Sequence, residues 1–111
     1  MLQTLEQFAE ACNTNARLRQ MNRDWSRTIA ILPTDRPEVF WLTSKEGLIQ
    51  AGQGPVNAAD LQIRADHDII VAVFSGALSP TEPYNAGDLL VKGSQDDLMR
   101  LDIITLLIWG E

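Results

Sequence analysis

The order of local signals predicts an α+β domain, with a five-stranded, mostly antiparallel sheet covered on one face by helices. Three observations carry this expectation. An apolar stripe at helical spacing opens the chain, four short strand-like segments follow between turn residues, and capped helical segments then flank one further strand. Strands in a run joined by short turns, followed by segregated helices, pack their shared apolar face under those helices.

Thr4 followed by Gln7 reads as a capping box. Leu5, Phe8, Cys12 and Ala16 then recur at helical spacing, with Arg17 and Arg19 suited to the negative end of the dipole. One helix ending near Gln20 is expected. From Trp25 the pattern changes. Ser26 to Leu32 reads as a strand stopped by Pro33 and Pro37, and Glu38 to Thr43 is β-branched and aromatic, as strands prefer. Ser44-Lys45-Glu46-Gly47 is a turn before a short third strand, Leu48 to Ala51. Asp60 to Arg64 alternates and forms a fourth strand, half-buried through Leu61 and Ile63.

Ile69 to Phe74 suits a strand by composition, but its punctuation is helical. Asp66 stands at the N-cap position and Gly76 where a helix C-terminus needs a left-handed residue. The resulting helix presents Ile70, Val73 and Phe74 to the core. Ser79-Pro80-Thr81-Glu82 then caps a short helix running to about Gly87. Leu89 to Gly93 is the last strand. Ser94, with Asp97 three residues on, caps a closing helix that carries Leu98, Leu101, Ile104, Thr105 and Ile108 on one side.

The 111 residues bound the function as well as the fold. That length suits one domain over residues 1–111, and 45% hydrophobic with 22% charged residues is ordinary globular composition. A formal charge of −6 disfavours nucleic acid and anionic membrane surfaces, which both need basic faces. Cys12 is the only cysteine, so no internal disulfide is possible. The N-terminus lacks a basic run before an apolar stretch, and Ile103 to Trp109 is too short to cross a bilayer. A cytoplasmic location is the default expectation.

The stretch from Asp60 to Leu101 resembles the signature region of the sterol carrier protein family. The resembling features are Asp60-Leu61-Gln62-Ile63, the apolar helix ending at Gly76, and Leu78 with Pro80. The short helix to Gly87, Leu89-Leu90-Val91-Lys92-Gly93 and Leu98-Met99-Arg100-Leu101 complete the set. Upstream, Leu2 to Ala51 agrees in element order only. The resemblance implies a sheet covered by helices with an elongated apolar cavity between them. It also implies binding of sterols, fatty acids, acyl-coenzyme A esters or phospholipids. Some bacterial relatives look like accessory factors in ubiquinone synthesis, and related domains are fused to enzymes as lipid-holding or dimerising modules. The ending Trp109-Gly110-Glu111 lacks the Ser-Lys-Leu peroxisomal address.

No catalytic constellation, metal site or cofactor is expected. His67 is the only histidine and sits at a helix start, where acidic neighbours such as Asp66 and Asp68 serve capping. Cys12 lies on an apolar helix face and reads as a small buried hydrophobe. Asp96, Asp97 and Asp102 fall where capping and solvation explain them, and Gly52-Gln53-Gly54-Pro55 lacks the lysine of a phosphate loop.

The residues expected to face a cavity are Phe74, Leu78, Tyr84, Leu98, Leu101 and Ile104, each with plain core packing as its alternative. Ile103, Leu106 and Leu107 lie on the other side of the closing helix, and Trp109 lies at its tip. A helix apolar nearly all round must bury both sides, so its end is expected to be covered by ligand, a second subunit or a partner enzyme. Two functions follow as expectations. One is non-enzymatic shielding of a lipid-like ligand for transfer or presentation. The other is an interaction or dimerisation module with a closed core, filled by Trp25, Trp41 and Phe40, accessory to a lipid or ubiquinone pathway enzyme.

Overall fold

The computed structural model describes residues 1–109, with the side chain of Trp109 outside that set. The elements in chain order are α1 (Leu2–Asn13), α2 (Ala16–Met21), β1 (Arg27–Pro33), β2 (Phe40–Lys45) and β3 (Leu48–Gln53). β4 (Leu61–Ala65), α3 (His67–Phe74), α4 (Thr81–Ala86), β5 (Leu90–Lys92) and α5 (Gln95–Trp109) complete the fold. The five strands form one sheet in the order β3-β2-β1-β4-β5. Three of its pairings are antiparallel, and β1 with β4 is parallel. The α+β class and the mostly antiparallel sheet are as the sequence predicts.

The parallel pair has a simple origin. β1, β2 and β3 form a meander that leaves the chain at the sheet edge, so it must cross back to find the free side of β1. There Asp60 accepts a bond from the Thr28 amide through Oδ2 (2.8 Å) and donates its own amide to the Thr28 carbonyl (2.8 Å). This exchange sets the register Ile29 opposite Leu61 and Ile31 opposite Ile63. Because side chains alternate along a strand, Ile29, Ile31, Phe40, Leu42, Ile49, Leu61 and Ile63 share the helix-covered face and are all buried. On the other face Trp41 lies directly over Gly52, whose lack of a side chain makes room for the ring.

Helices complete the core. α1 lies across β3 and β2 and buries Leu5, Phe8, Ala9 and Cys12. Phe8 meets Phe74 of α3 edge-on, with ring centroids 5.0 Å apart. Burial pushes the Cys12 thiol up to about 12, against the smaller opposing effect of a backbone hydrogen bond. Cys12 is thus a packed apolar residue, as its position on the stripe indicates.

Several local expectations are corrected. The first helix is two helices, because Asn15 is extended and its side chain accepts from the Leu18 amide at 3.1 Å, capping a new start. Thr4 caps nothing: α1 begins at Leu2, with the Leu5 amide bonded to the Met1 carbonyl. α3 ends as anticipated. Gly76 has φ +81°, and the Gly76 and Ala77 amides return to the Val73 and Ala72 carbonyls in a Schellman closure. Its start differs, since Asp66 makes no side-chain cap and Asp35 instead accepts from the His67 amide at 2.9 Å. α4 begins one residue later than predicted, with Pro80 rather than Ser79 as N-cap and no side-chain cap.

The β2–β3 hairpin turns on Glu46 and Gly47, both at positive φ (54° and 83°), as a two-residue type I′ turn requires. A Cβ on Gly47 would also lie 2.4 Å from the Arg19 carbonyl oxygen of α2. Gly87, at φ +84°, has open space around the same position. Gly87→Ala is therefore expected to cost about 1 kcal/mol of backbone strain alone. Gly47→Ala should cost about 2 kcal/mol or more, because strain and a clash with rigid backbone combine. Urea denaturation of both variants checks this, and equal losses would contradict it.

Candidate functional site: an apolar recess beneath the closing helix

The site is built where α5 folds back over the β4–β5 end of the sheet. Gly93 makes the entry possible, because a Cβ there would sit 2.1 Å from a methyl of Leu61. Ser94 then caps α5, its hydroxyl accepting from the Asp97 amide at 3.2 Å. This cap is the one the sequence predicts.

Asp97 does more than its expected role in solvation. Only 8% of its side chain is accessible. Its Oδ1 accepts from the Trp25 indole N–H (2.8 Å) and Arg27 Nε (3.1 Å), and Oδ2 lies 3.1 Å from Arg27 Nε. Desolvation opposes ionisation of this carboxyl. Hydrogen bonds from Trp25, Arg27 and Ser94, with the charge of Arg27, outweigh that and hold it below the usual carboxylate range. One turn on, Arg100 stacks over the Trp25 ring at 5.5 Å and donates to the Met21 carbonyl at 2.8 Å. Trp25 is thus gripped by the first two turns of α5 and fills no tunnel.

Past this clamp, Ile104 is the one buried residue of α5's middle, 2% exposed in the core. Between this part of α5 and the residues of α3 and α4 lies a recess of about 260 Å³. Its floor is Ile63 of β4 and Val91 of β5, and α3 supplies Ile70, Val73 and Phe74. Leu98 and Leu101 form its α5 side, and Tyr84 of α4, 51% exposed, stands at its rim. Nine of the thirteen lining residues carry no polar side-chain atom, the exceptions being Thr81, Tyr84, Asp102 and Thr105.

Of the six residues singled out in the sequence for a cavity, Phe74, Tyr84, Leu98 and Leu101 come together here. Leu78 lines a second recess of about 250 Å³ that adjoins the first through shared lining residues, and Ile104 packs into the core instead. The sequence assigns Asp102 to capping and solvation, Thr105 to the apolar side of the closing helix and Thr81 to the start of the short helix, and none of the three to a cavity. The i, i+3 spacing of Asp102 with Thr105 beside Leu98 and Leu101 was the available signal. On the other flank of α5 Ile103 is 41% exposed, and Leu106, 48% exposed, lies between that flank and the second recess, which it also lines; Leu107 and Ile108 pack partly against the core. The side chain of Trp109, expected at the same surface, lies outside the described residues.

The suggested tunnel fillers are elsewhere: Phe40 is in the sheet core and Trp41 on the opposite face. His67 is more buried than expected. Its Nδ1 is 3.3 Å from Asp68, and it borders a shallow depression near Met1 and Arg36, away from the apolar recess. No group of three or more metal-ligating side chains occurs among the described residues. No helix among them is long and apolar enough to cross a membrane.

A helix-covered sheet with an apolar recess under its last helix defines the class: a small α+β domain of the sterol-carrier type. The chain belongs to the SCP-2 sterol transfer family, whose profile matches residues 5–104. That family is one of lipid and sterol binding or transfer. Solved structures agree in fold. The sterol carrier protein domain 2 of Helicoverpa armigera superposes with a TM-score of 0.76 at 18% identity, covering 99% of this chain and 86% of that one. A ubiquinone synthesis protein, UbiJ-SCP2, gives 0.74 at 12% identity, covering 99% and 92%. A sec-alkylsulfatase from Pseudomonas sp. gives 0.64 at 14% identity, but the match takes in 81% of this chain and only 14% of the sulfatase. A search of curated proteins finds no significant match.

The buried carboxylate generates a test of how the recess is held. Asp97→Ala leaves the Trp25 N–H without its acceptor and should cost about 2 kcal/mol at pH 7 by chemical denaturation. Because the folded-state value of Asp97 is depressed, its contribution is complete above the unfolded value near 4 and fades as pH falls through the folded one. Stability measured from pH 6 to pH 2 should therefore decline less steeply in Asp97→Asn than in the wild type. Parallel acid limbs would show that the carboxylate is not coupled to folding.

Proposed function

We propose that the protein shields an apolar, lipid-like ligand in the recess beneath α5, without catalysing a reaction on it, for transfer or presentation to another component. The observation that carries the reading is the convergence of Ile63, Phe74, Leu98 and Leu101 on one void in a chain of this family. Apolar walls left facing an open recess are unfavourable in water, and covering them recovers about 0.8 kcal/mol for each methylene removed from water. The candidate ligands are a fatty acyl chain, a sterol-like ring system, or an isoprenoid or quinone precursor. The name of the ubiquinone synthesis neighbour favours the last of these.

Size bears on the choice. At about 260 Å³ the recess lies just below the ~300–1,000 Å³ typical of small-molecule pockets. It takes one chain end or ring, and the remainder of a larger ligand emerges past Tyr84. Cys12 suits no nucleophilic role, because its thiol is packed and held protonated.

Native mass spectrometry of protein purified without detergent, followed by titration with dodecanol, tests this. The wild type should bind one equivalent. Leu98→Trp, which places an indole in the void, should weaken binding at least tenfold while the far-ultraviolet circular dichroism is retained. Equal affinity for both proteins would place the ligand elsewhere.

A second reading has its own observation. The exposed flank of α5 formed by Met99, Ile103 and Leu106 is apolar, and such flanks are commonly covered by a partner. On this reading the domain is a dimerising or accessory module in a lipid or ubiquinone pathway. If the flank joins two copies, light scattering after gel filtration should give a dimer that Ile103→Glu with Leu106→Glu converts to a monomer. A wild-type monomer at high concentration would remove the homodimer.

A further inference from the structure

We propose that the seam between α4 and α5 is a headgroup subsite that accepts a neutral, hydroxyl-bearing amphiphile and discriminates against a carboxylate. The inference rests on the recess being a ligand site, as proposed above. It adds which end group that ligand carries.

The two recesses, of about 260 and 250 Å³, share Pro80, Thr81, Asp102 and Thr105 as their common wall. The polar side chains of the first recess, apart from Tyr84 at its rim, are those three polar members of the wall. An amphiphile with its chain against Phe74 and Leu98 thus has its end group at the seam. Asp102 is the only charged residue lining either recess among those described, and no Lys, Arg or His lines them.

The basic residues of the adjoining elements are committed elsewhere. Arg100, two residues before Asp102, is bonded to the Met21 carbonyl and the Asn22 side chain. Lys92 of β5 and Arg64 of β4 occupy register positions on the open face of the sheet, away from the helices. The charged residues nearest the seam on α4 and just after it, Glu82 and Asp88, are acidic. A carboxylate brought to the seam meets like charge with no cation to offset it.

A hydroxyl end group meets the opposite situation. The Asp102 carboxylate accepts its proton, a charge-assisted bond stronger than one between neutral groups. The Thr105 hydroxyl already donates to the Asp102 carbonyl at 2.8 Å, so its oxygen faces other groups as an acceptor. Thr81 and Tyr84 supply hydroxyls that can donate or accept. This favours long-chain alcohols, sterol-like alcohols and prenylated phenols over free fatty acids.

The test is isothermal titration calorimetry at pH 7 and low ionic strength with dodecanol and dodecanoate, each below its aggregation concentration. Both probes are run on the wild type and on Asp102→Asn, which keeps the side chain's size and removes its charge. The wild type should prefer dodecanol, and the Asp102→Asn variant should shrink that preference about tenfold, close to the effect of two charges a few ångströms apart in a water-like medium, as suits the exposed Asp102. A preference unchanged by the substitution, or dodecanoate binding as tightly as dodecanol to the wild type, overturns the subsite. Failure of both probes to bind either protein overturns the ligand site itself, and the subsite with it. Dodecylammonium binding more tightly to the wild type than to Asp102→Asn provides independent support, because the sign of its charge is reversed.

Discussion

The recess exists because a buried carboxylate holds the closing helix to the first strand. Among the described side chains of α5, Ile104 is the one apolar residue fully committed to the core, and the other apolar ones are half-buried or exposed. Hydrophobic contact alone would define its position loosely. Asp97 defines it sharply, since an indole N–H and a guanidinium converge on one carboxylate shielded from water. Arg27 opens β1, the central strand, and Trp25 lies two residues before it, so the helix is referenced to the middle of the sheet. Removing a partner from such a group costs more than the bond contributed, because the remaining one is left desolvated.

This arrangement separates support from binding along a single helix. The first two turns clamp Trp25 through Asp97 and Arg100, and Leu98, Leu101, Asp102 and Thr105 face the two recesses. Leu98 and Leu101 can leave one side open because the polar clamp carries the helix. A helix held only by its apolar stripe would instead collapse onto the floor of Ile63 and Val91. α4 helps keep the space. It is six residues long, ends at a left-handed Gly87 and buries Pro83 rather than Tyr84, which leaves the ring at the rim.

Turn and cap chemistry was legible wherever the cap is local. Gly76, Gly87, Gly47 and Ser94 act where their neighbours in sequence indicate, because positive φ and a side chain three residues away are short-range requirements. It was not legible where the partner is distant. Asp66 looks like the cap of α3, yet Asp35 supplies it from a loop 32 residues earlier. Thr4 looks like a cap, but α1 starts before it. Asn15 broke the first helix because an Asn side chain competes with the backbone for its own amides, a local signal that the apolar stripe concealed.

By itself the sequence determined the class of fold, the order of elements and the apolar side of each, since period and punctuation are properties of neighbouring residues. Only the tertiary structure decided which of those apolar residues line a void and which fill the core. Leu101 and Ile104 are three residues apart on one side of one helix, yet Leu101 borders the recess and Ile104 is sealed. The parallel pairing of β1 with β4, the bond between Trp25 and Asp97 across 72 residues, and the seam that brings Thr81 to Asp102 were decided there too. Periodicity specifies which way a side chain points. What it meets depends on how the elements stack, and that is settled by the whole chain at once.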